Sequence, residues 1–389
     1  MVKNLNVNSN EEEYMSKLFE TSEINGMKLS NRFVRSATWE GMAADDGACT
    51  PKLIDLMTGL AKGGVGLIIS SHAYVLKEGQ AGPWQLGIYK DELVAGLQDM
   101  TAAVHQNGGK IVMQLAHAGY FAHPKLIGQT PLAPSNAEGI SKTPRNEMSL
   151  EDIQNVISAF EAAAKRAKAA GFDGVQIHCA HGYLLSQFLS PAFNQRNDEY
   201  GGDIQNRARI VLQVFQRIRQ AVGEDYPVLI KINCQDFIEN GLSPEDSLAT
   251  SKMLVAEGID AIELSGGVLI SKKLSPSRLG IKSEDQEAYF QEYAKEFKRQ
   301  IDIPLILVGG NRSYAVAERL VEEGIADYIS MSRPFIREPN LINRWKSGDL
   351  SKATCVSDSM CFVPAQKGEG VYCLTEKRQR NEQDYTSAD

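Results

Sequence analysis

The sequence has no long apolar run and no cluster of basic residues. None of its hydrophobic stretches approaches the roughly 18 residues that a membrane-spanning helix needs. The formal net charge is −8 and the isoelectric point is near 5.5, which disfavours nucleic acids and anionic membranes as partners. Residues 1–13 are polar and acidic and lack the apolar core of a secretory signal. We therefore expect a cytoplasmic protein whose partner is a small-molecule substrate.

Two familiar cysteine and glycine patterns are also missing. Six cysteines in 389 residues do not form the disulfide framework of a small secreted domain. No G-x-G-x-x-G turn follows an early strand, which disfavours an open, doubly wound sheet. Cys179 and Cys234 lie in strand-like runs and are most simply buried thiols.

What the chain does contain is a regular alternation of short apolar runs and amphipathic helical patterns. Apolar runs of this kind are typical of parallel strands buried on both faces. Eight of them occur, at 33–38, 65–71, 110–117, 174–181, 228–236, 261–266, 304–310 and 328–333. Helical spacing of apolar residues covers 150–170, 206–222, 247–257 and 314–323. The series predicts an α/β protein of the (β/α)8 (TIM) barrel class.

The barrel is predicted to occupy residues 18–350 as one domain. A polar segment at 1–17 precedes it, and a short C-terminal extension at 351–389 follows it. The last part of that extension, 381–389, is polar and is expected to be disordered.

Two segments exceed the usual length of a loop. Residues 120–147, after the third strand, are rich in Pro, Ser, Asn and Gly, and are expected to form a cap over the barrel mouth. Residues 264–284, after the sixth strand, are expected to form a mobile loop at the same mouth. We expect both segments to set the choice of substrate.

Two imidazoles and a phenol accompany the end of the fourth predicted strand. His178 lies within the strand, and His181 and Tyr183 come just past it. Side chains at this end of a barrel strand lie where barrel enzymes carry out their chemistry. Strand alternation places His178 on the same face as Gln176. The following segment offers ion-pairing residues that could lock its loop: Arg196, Asp198, Asn206 and Arg207.

The last two predicted strands end in a different pattern. Gly309 and Gly310 end the seventh strand, and Ser332 and Arg333 end the eighth. Paired glycines alone would indicate only a tight turn. However, glycines let a backbone approach a phosphate, and arginine can bind one through two parallel hydrogen bonds. Two such ends in succession favour a phosphate site.

Taken together, these motifs resemble the flavin-dependent ene-reductases of the old yellow enzyme family, on the branch that includes enoate and 2,4-dienoyl-CoA reductases. The resemblance runs from about Leu18 to Cys373. It implies FMN as cofactor, NADH or NADPH as reductant, and hydride transfer from flavin N5 to an electron-poor C=C bond. Homodimers and homotetramers are common among similar proteins, which leaves the assembly state open.

The resemblance also implies roles for individual residues. His178 and His181 match the pair that binds the substrate carbonyl, and Tyr183 matches the general acid that protonates the α-carbon. Gly309, Gly310, Ser332 and Arg333 match positions that hold the FMN phosphate. The flavin ring is expected to contact Ala37, Thr38, Trp39, His72, Gln114 and Lys231.

Three parts of this set depart from the family pattern. The family often has Pro-Met followed by Cys or Thr where this chain has Ala37-Thr38-Trp39. Lys231 stands where arginine is usual, near flavin N1, where a cation stabilises the reduced ring. His72 stands where relatives commonly have a small residue, and is either a substrate contact or a packed polar side chain.

The extension carries a degenerate cysteine motif. Cys355, Cys361 and Cys373 match three of the four cysteines that hold a [4Fe–4S] cluster in larger relatives, and Asp358 lies near the place of the second. We favour a remnant without a cluster. A labile Asp-ligated cluster and three thiols of no function are the alternatives.

Other functions also stay open at this point. A zinc site on the two imidazoles is a weaker alternative, because only Asp236 or His117 could be invoked as a third ligand. A related flavin enzyme that oxidises or demethylates its substrate would use the same scaffold. A flavin-binding sensor or scaffold with little turnover is the alternative from another class, and the presence of Tyr183 with both histidines argues against it.

Overall fold

The computed structural model of the protein describes residues 16–137, 140 and 144–386. Its strands are β1 (Ser22–Ile24), β2 (Met27–Leu29), β3 (Phe33–Arg35), β4 (Leu67–Tyr74), β5 (Ile111–Ala116), β6 (Leu132–Ala133), β7 (Asn146–Glu147), β8 (Gly174–Cys179), β9 (Val228–Asn233), β10 (Ala261–Ser265), β11 (Leu305–Leu307) and β12 (Tyr328–Met331). Most of the predicted 1–17 segment lies outside the described residues.

The α-helices are α1 (Pro51–Lys62), α2 (Val94–Gln106), α3 (Pro124–Ile127), α4 (Leu150–Ala169), α5 (Leu184–Leu189), α6 (Ile204–Val222), α7 (Pro244–Ala256), α8 (Gln291–Gln300), α9 (Tyr314–Glu322), α10 (Arg333–Arg337), α11 (Leu341–Lys346), α12 (Phe362–Gln366) and α13 (Leu374–Thr386). No helix in the described ranges is both long and apolar enough to cross a membrane.

Eight of the strands close into a parallel barrel. Around the barrel they follow the order β3-β4-β5-β8-β9-β10-β11-β12, and β12 pairs with β3 to close it. Each of the eight predicted strands corresponds to one barrel strand, so the (β/α)8 prediction is confirmed. Several are shorter than predicted, and the seventh runs only over Leu305–Leu307.

The long helices between the barrel strands cover the outside of the barrel because they bury an apolar stripe against it. Helix α4 shows why it begins where it does: the Ser149 side chain accepts from the Asp152 amide, and the Asp152 carboxylate accepts from the Ser149 amide. Its inward positions include Ile153, Val156 and Phe160, all buried against the strands. The stripe follows the spacing of an amphipathic helix.

The lower half of the barrel interior, at the N-terminal ends of the strands, is apolar. One buried cluster fills it, formed by Val34, Leu67, Ile69, Val112, Leu229, Ala261, Ile306 and Tyr328. The antiparallel hairpin β1–β2 contributes three further members, Ile24, Met27 and Leu29. The hairpin therefore closes this end of the barrel.

The upper half of the interior, at the C-terminal ends, is polar. The change occurs within single strands: in β9, Leu229 is followed two residues later by Lys231, and in β10, Ala261 is followed by Glu263. Residues two apart share a strand face. The same strands thus supply apolar packing below and functional groups above.

The long segment after β5 packs beside the mouth. Its described residues include α3 and the short β6–β7 pair. Tyr120 and Phe121 pack edge-to-face on Phe193, which follows β8. No described residue of 120–147 lines the cavity at the C-terminal end of the barrel. Of the two segments expected to shape the substrate site, only 264–284 does so in the part of the chain that the structure describes.

The loop after β8 is fixed by ion pairs, as its charges predicted. The Arg196 guanidinium contacts the Asp198 carboxylate at 2.6 Å, and that of Arg207 contacts Asp246 at 2.6 Å. Asn206 accepts a hydrogen bond from Arg209 at 2.8 Å instead of joining an ion pair.

The C-terminal extension ends in a helix, because residues 381–386 continue α13. The expectation of disorder for 381–389 stays a prediction. Within this helix Arg380 and Glu376 pair one turn apart at 2.5 Å, a contact that supports exposed helices. Residues 387–389 lie outside the described part.

Candidate functional site

A cavity opens at the C-terminal end of the barrel and brings together nearly all of the predicted site residues. From β3, β4, β5 and β9 it is lined by Ala37, Thr38, Trp39, His72, Gln114 and Lys231. From β8, β11 and β12 it is lined by His178, His181, Tyr183, Gly310, Ser332 and Arg333. These residues are up to about 300 positions apart in the chain, and the closed barrel is what joins them.

Gly309 is the exception. It does not line the cavity. A Cβ added at Gly309 would lie 3.0 Å from the Phe290 ring, and the Gly309 carbonyl accepts from the Tyr289 amide at 3.1 Å. Gly309 therefore serves close packing of the strand end, whereas its neighbour Gly310, at φ +81°, reaches the cavity.

The two predicted halves of the site face each other. Strands β8 and β12 are four places apart in a barrel of eight, so their ends lie on opposite sides of the mouth. His178, His181 and Tyr183 come from the β8 end, and Ser332 and Arg333 from the β12 end. A ligand in the cavity can contact both groups at once.

The imidazoles and the phenol form one compact cluster. The ring centroid of His178 lies 4.8 Å from that of Tyr183 and 5.3 Å from that of His181. His181 shares a 2.8 Å hydrogen bond between Nε2 and Ser265 Oγ, and its amide donates to Asn233 Oδ1 at 3.1 Å. His178 Nδ1 is buried and has no hydrogen-bond partner in the described structure.

Both imidazoles are neutral at physiological pH. Burial lowers the pKa of His178 well below its ordinary value, and the nearby His181, His72 and Lys231 lower it further. Burial, followed by Lys231 and His72, does the same for the pKa of His181. A neutral imidazole offers one N–H and one lone pair. The pair is therefore suited to donating hydrogen bonds to an oxygen without carrying charge.

Tyr183 stays protonated over the same range, because burial raises its phenol pKa. Its hydroxyl lies 3.1 Å from His72 Nε2. Burial and the Arg35 guanidinium lower the pKa of His72 to about 4, so this third imidazole is neutral as well. The cluster thus holds a neutral acid beside three neutral imidazoles.

Lys231 is not a lone buried charge. Its ammonium contacts Glu263 Oε1 at 3.1 Å and donates to Ser36 Oγ at 2.7 Å. Glu263 also accepts from Gln176 at 2.9 Å and from Ser330 at 2.8 Å, and Gln176 accepts from Gln114 at 2.7 Å. Because every member has a partner, the cost of burying the two charges is offset.

Glu263 is ionised in this network. Burial alone would raise its pKa, but the Lys231 ammonium and the hydrogen bonds from Ser36, Gln176 and Ser330 outweigh burial and hold the pKa below its ordinary value. Sequence reasoning missed Glu263. The available signal was a carboxylate inside the apolar run 261–265, on the face it shares with Ala261.

The β12 end carries a cation without a carboxylate partner. Arg333 makes no ion pair within the described ranges; its guanidinium donates to Ser359 Oγ at 3.1 Å and to the Arg278 carbonyl at 2.8 Å. Beside it, Ser332 Oγ and Thr38 Oγ1 share a hydrogen bond of 2.7 Å. Such a set of donors suits an anion, and phosphate above all.

The C-terminal extension is part of this site, which the sequence did not predict. Ser357 and Phe362 line the cavity. Arg312 ties the segment down by donating to Ser357 Oγ at 3.3 Å and to the Cys355 carbonyl. Residues of the 351–389 extension therefore form part of the cavity wall.

The cysteine motif lies behind this wall. Cys355 and Cys361 are buried, Cys373 is half-buried, and all three are free thiols. The Asp358 carboxylate accepts from Thr375 Oγ1 and from the Met360 amide. In the described ranges, no three His, Cys, Asp or Glu side chains are grouped to hold a metal ion.

The two proposed third ligands for zinc are engaged elsewhere. Asp236 accepts from Asn233 Nδ2 at 2.9 Å and from the Leu242 amide at 2.9 Å. His117 Nδ1 accepts from the Gly119 amide at 3.0 Å, and His117 does not line the cavity.

The residues present fit FMN. The Arg333 guanidinium, which makes no ion pair with any described residue, suits the phosphate, and Gly310 leaves the strand end without a side chain beside it. Gln114 and Lys231 present hydrogen-bonding groups and a cation of the kind that a flavin ring requires. On the β8 side, the unpartnered Nδ1 of His178 marks a polar group still without its hydrogen bond.

Comparison with known proteins gives the same picture. A relative from Thermoanaerobacter brockii named NADH oxidase is 36% identical over 350 residues, covering 88% of this chain and 53% of that protein. An NADPH dehydrogenase from Bacillus subtilis (strain 168) is 35% identical over 326 residues, covering 83% and 92%. The chain thus spans about half the length of the first relative and nearly all of the second.

Solved structures agree on the architecture. A complex of 2-naphthoyl-CoA reductase superposes with a TM-score of 0.85 at 27% identity, covering 92% of this chain and 56% of that chain. The old yellow enzyme homologue from Zymomonas mobilis superposes with a TM-score of 0.74 at 28% identity, covering 92% and 99%.

The match to a family profile spans nearly the whole barrel, residues 17–351. The family and its old yellow enzyme neighbours imply FMN as cofactor and NADH or NADPH as reductant. With the fold, the cavity and the profile in agreement, the chain belongs to the NADH:flavin oxidoreductase / NADH oxidase family.

Proposed function

We propose that this protein reduces electron-poor C=C bonds, such as those of enones and enoates, as an FMN-dependent NAD(P)H oxidoreductase whose barrel, residues 18–350, is the FMN-binding domain. One observation carries the proposal: the neutral His178 ring lies 4.8 Å from the protonated Tyr183 phenol and 5.3 Å from the neutral His181 ring, across the cavity from Arg333. Reduction of an activated alkene requires hydrogen-bond donors for the carbonyl oxygen and an acid that can protonate the α-carbon.

The roles of the side chains follow from their states. His178 and His181 donate hydrogen bonds to the substrate carbonyl oxygen and stabilise the negative charge that develops there. Tyr183 passes its proton to the α-carbon. FMN, when bound, supplies the hydride that it has received from NADH or NADPH. Lys231 and Gln114 orient the ring, and Arg333 with Ser332 holds the phosphate.

The relatives support reduction in general and leave the substrate to experiment. Structural neighbours are named 2-naphthoyl-CoA reductase and morphinone reductase, the latter with a TM-score of 0.73 at 27% identity. Because the chain spans 53% of the NADH oxidase and 49% of a relative named metal reductase, their activities do not transfer directly.

An oxidative function is the second candidate, and one neighbour favours it. Histamine dehydrogenase from Rhizobium sp. 4-9 superposes with a TM-score of 0.81 at 27% identity. Oxidation of an amine needs a base to take up a proton, whereas Tyr183 is held protonated by burial. Tyr183 is therefore available as a proton donor and is not itself that base.

The decisive test follows the flavin absorbance of the purified protein. We expect FMN bleaching with anaerobic NAD(P)H and recovery with 2-cyclohexenone. Tyr183→Phe should slow the recovery about 10²- to 10⁴-fold, the usual worth of a positioned general acid, and leave the bleaching unchanged. The double variant His178→Ala/His181→Ala should keep FMN and lose enone reduction.

Tyr293→Phe is the matched control, since it removes a tyrosine hydroxyl that bonds Gln235 at 2.7 Å outside the cavity. Its rates should equal those of the parent protein. Unchanged enone reduction in the histidine double variant would contradict the proposed carbonyl site. The proposed function would be contradicted if the protein did not bind FMN on reconstitution. It would also be contradicted if enones did not reoxidise the reduced flavin.

A further inference from the structure

Strand β4 contains an irregularity that no sequence pattern predicted. Its pairing with β5 advances from Ile69 opposite Val112 to His72 opposite Gln114, so three steps along β4 match two along β5. One extra residue on one strand is a β-bulge, and bulges near active sites redirect side chains.

The bulge decides which way His72 points. Ile69 belongs to the apolar cluster inside the barrel. Strict alternation from Ile69 would turn residue 72 outward, toward the helices. With the bulge, His72 lines the cavity, and the next residue, Ala73, belongs to the helix-facing core.

The bulge is held by hydrogen bonds of its own. Ser70 Oγ donates to the Ser71 carbonyl at 2.9 Å and accepts from the Gln114 amide at 3.4 Å. Ser71 Oγ donates to the buried Glu40 carboxylate. Gln85 Nε2 donates to the His72 carbonyl at 2.9 Å. These hydrogen bonds fix the backbone of the bulge at and just before His72.

We propose that His72 is a positioning residue for proton transfer by Tyr183, donating a hydrogen bond from Nε2–H to the phenol oxygen. The two atoms lie 3.1 Å apart, and the ring centroids 5.4 Å apart. In the part of the chain that the structure describes, His72 is the one hydrogen-bond partner of this hydroxyl. The inference rests on the proposed function, because it names the group that assists the proposed acid.

The proton transfer balances without a further reactant beyond water. The Tyr183 O–H bond breaks, and a C–H bond forms with the electron pair of the substrate enolate. Negative charge remains on the phenol oxygen, where the His72 N–H stabilises it. A proton from the solvent restores the phenol after the product leaves, so each turnover consumes one solvent proton. A neutral histidine suits this task, because a second acid would compete for the substrate and a carboxylate would repel the phenolate.

The first experiment is a double-mutant cycle on the FMN-loaded protein, with His72→Leu, His72→Gln and Tyr183→Phe, alone and combined. Oxidation of the NAD(P)H-reduced flavin is followed with 2-cyclohexenone and with ferricyanide, which accepts electrons without a proton on carbon. His72→Leu should slow the enone reaction about 10- to 100-fold, the worth of a hydrogen bond to a charged group. His72→Gln, whose amide can donate in place of Nε2, should recover most of that rate.

The cycle separates action through Tyr183 from a direct contact. In the Tyr183→Phe background, His72→Leu should add less than about a twofold change, since residues acting as a unit are not additive. Ferricyanide rates should not respond to either substitution. Additive losses would make His72 a substrate contact in its own right, and equal slowing with ferricyanide would make it a packing residue; either result overturns the proposal.

A second measurement does not depend on turnover. Nitrogen-15 NMR of histidine-labelled protein reads which ring nitrogen of His72 carries the proton, and Tyr183→Phe should shift the Nε2 resonance. A proton on Nδ1 instead would overturn the proposal even if enones are reduced. Conversely, the Nε2–H resonance could shift as expected in a protein that does not reduce enones. That result would support the contact between His72 and Tyr183 and contradict only the proposed function.

Discussion

The lower and upper halves of the barrel interior are built from the same strands but differ in polarity and in what stabilises them. Below, Leu229 and Ala261 pack in an apolar cluster closed by the β1–β2 hairpin. Above, two residues further along the same strands, Lys231 and Glu263 form a buried ion pair. The lower half derives its stability from volume and apolar area, whereas the upper half depends on each polar group keeping its partner.

The comparison shows how a barrel can tolerate charge at its centre. An isolated buried ion is far more costly than a paired one. In the polar upper half, this cost is offset by hydrogen bonds that the Glu263 carboxylate accepts from Ser36, Gln176 and Ser330. We therefore expect removal of one polar partner in the upper half to lower the free energy of unfolding more than removal of an equal side-chain volume in the lower half.

The largest effect is expected from Lys231→Met, which keeps the length of the side chain and removes the charge. It leaves the Glu263 carboxylate buried without its cation, so the free energy of unfolding should fall by about 3–5 kcal/mol. Urea titration at a fixed excess of FMN measures it. The double variant Lys231→Met/Glu263→Leu should recover part of the loss.

An exposed ion pair provides the control for this substitution. Lys298 and Asp327 pair at 2.9 Å with side chains 22% and 33% exposed. Lys298→Met should therefore cost no more than about 1 kcal/mol. If both lysine variants lose the same stability, burial of the upper pair is not what makes it sensitive.

A somewhat smaller effect is expected from Leu229→Ala in the lower half. Leu229 is fully buried, so truncation leaves a cavity and should lower the free energy of unfolding by about 2–4 kcal/mol. The flavin absorbance and the rate of enone reduction should stay those of the parent protein. A changed flavin spectrum would show that the two halves of the interior are coupled.

The last effect concerns sensitivity to acid, which a buried imidazole at the upper end should introduce. Burial lowers the pKa of His117 to about 4, below the 6.5 of an unfolded histidine. The unfolded chain thus binds more protons between these values, so stability is full above pH 6.5 and falls as the pH drops toward 4. One such histidine contributes about 1.4 kcal/mol per pH unit in that window.

His117→Asn keeps an acceptor for the Gly119 amide and removes the titration. Its unfolding free energy should therefore depend less steeply on pH between 4 and 6.5, while Leu229→Ala keeps the slope of the parent protein. Parallel pH profiles for the parent and His117→Asn would show that this histidine does not resist protonation in the folded state.

Much of the site was predictable because it follows local rules. Polar residues placed at the ends of apolar runs identified His178, Tyr183 and Arg333, and parallel strands bring such ends to one edge. Gly309 stays a prediction as a phosphate-binding position; its packing against Phe290, outside the cavity lining, could not be read from the sequence. The part played by Ser357 was missed because an extension beyond the last strand carries no periodic signal of where it docks.

The sequence by itself determined the eight strands, the polarity of their ends and the chemistry available there, since these depend on residue types and on spacing along one chain. Tertiary structure alone decided that Lys231 meets Glu263 and that His72 meets Tyr183. The first contact joins neighbouring strands, and the second depends on a bulge defined by the register between β4 and β5. Register is a property of two strands together, and no pattern in either strand alone encodes it.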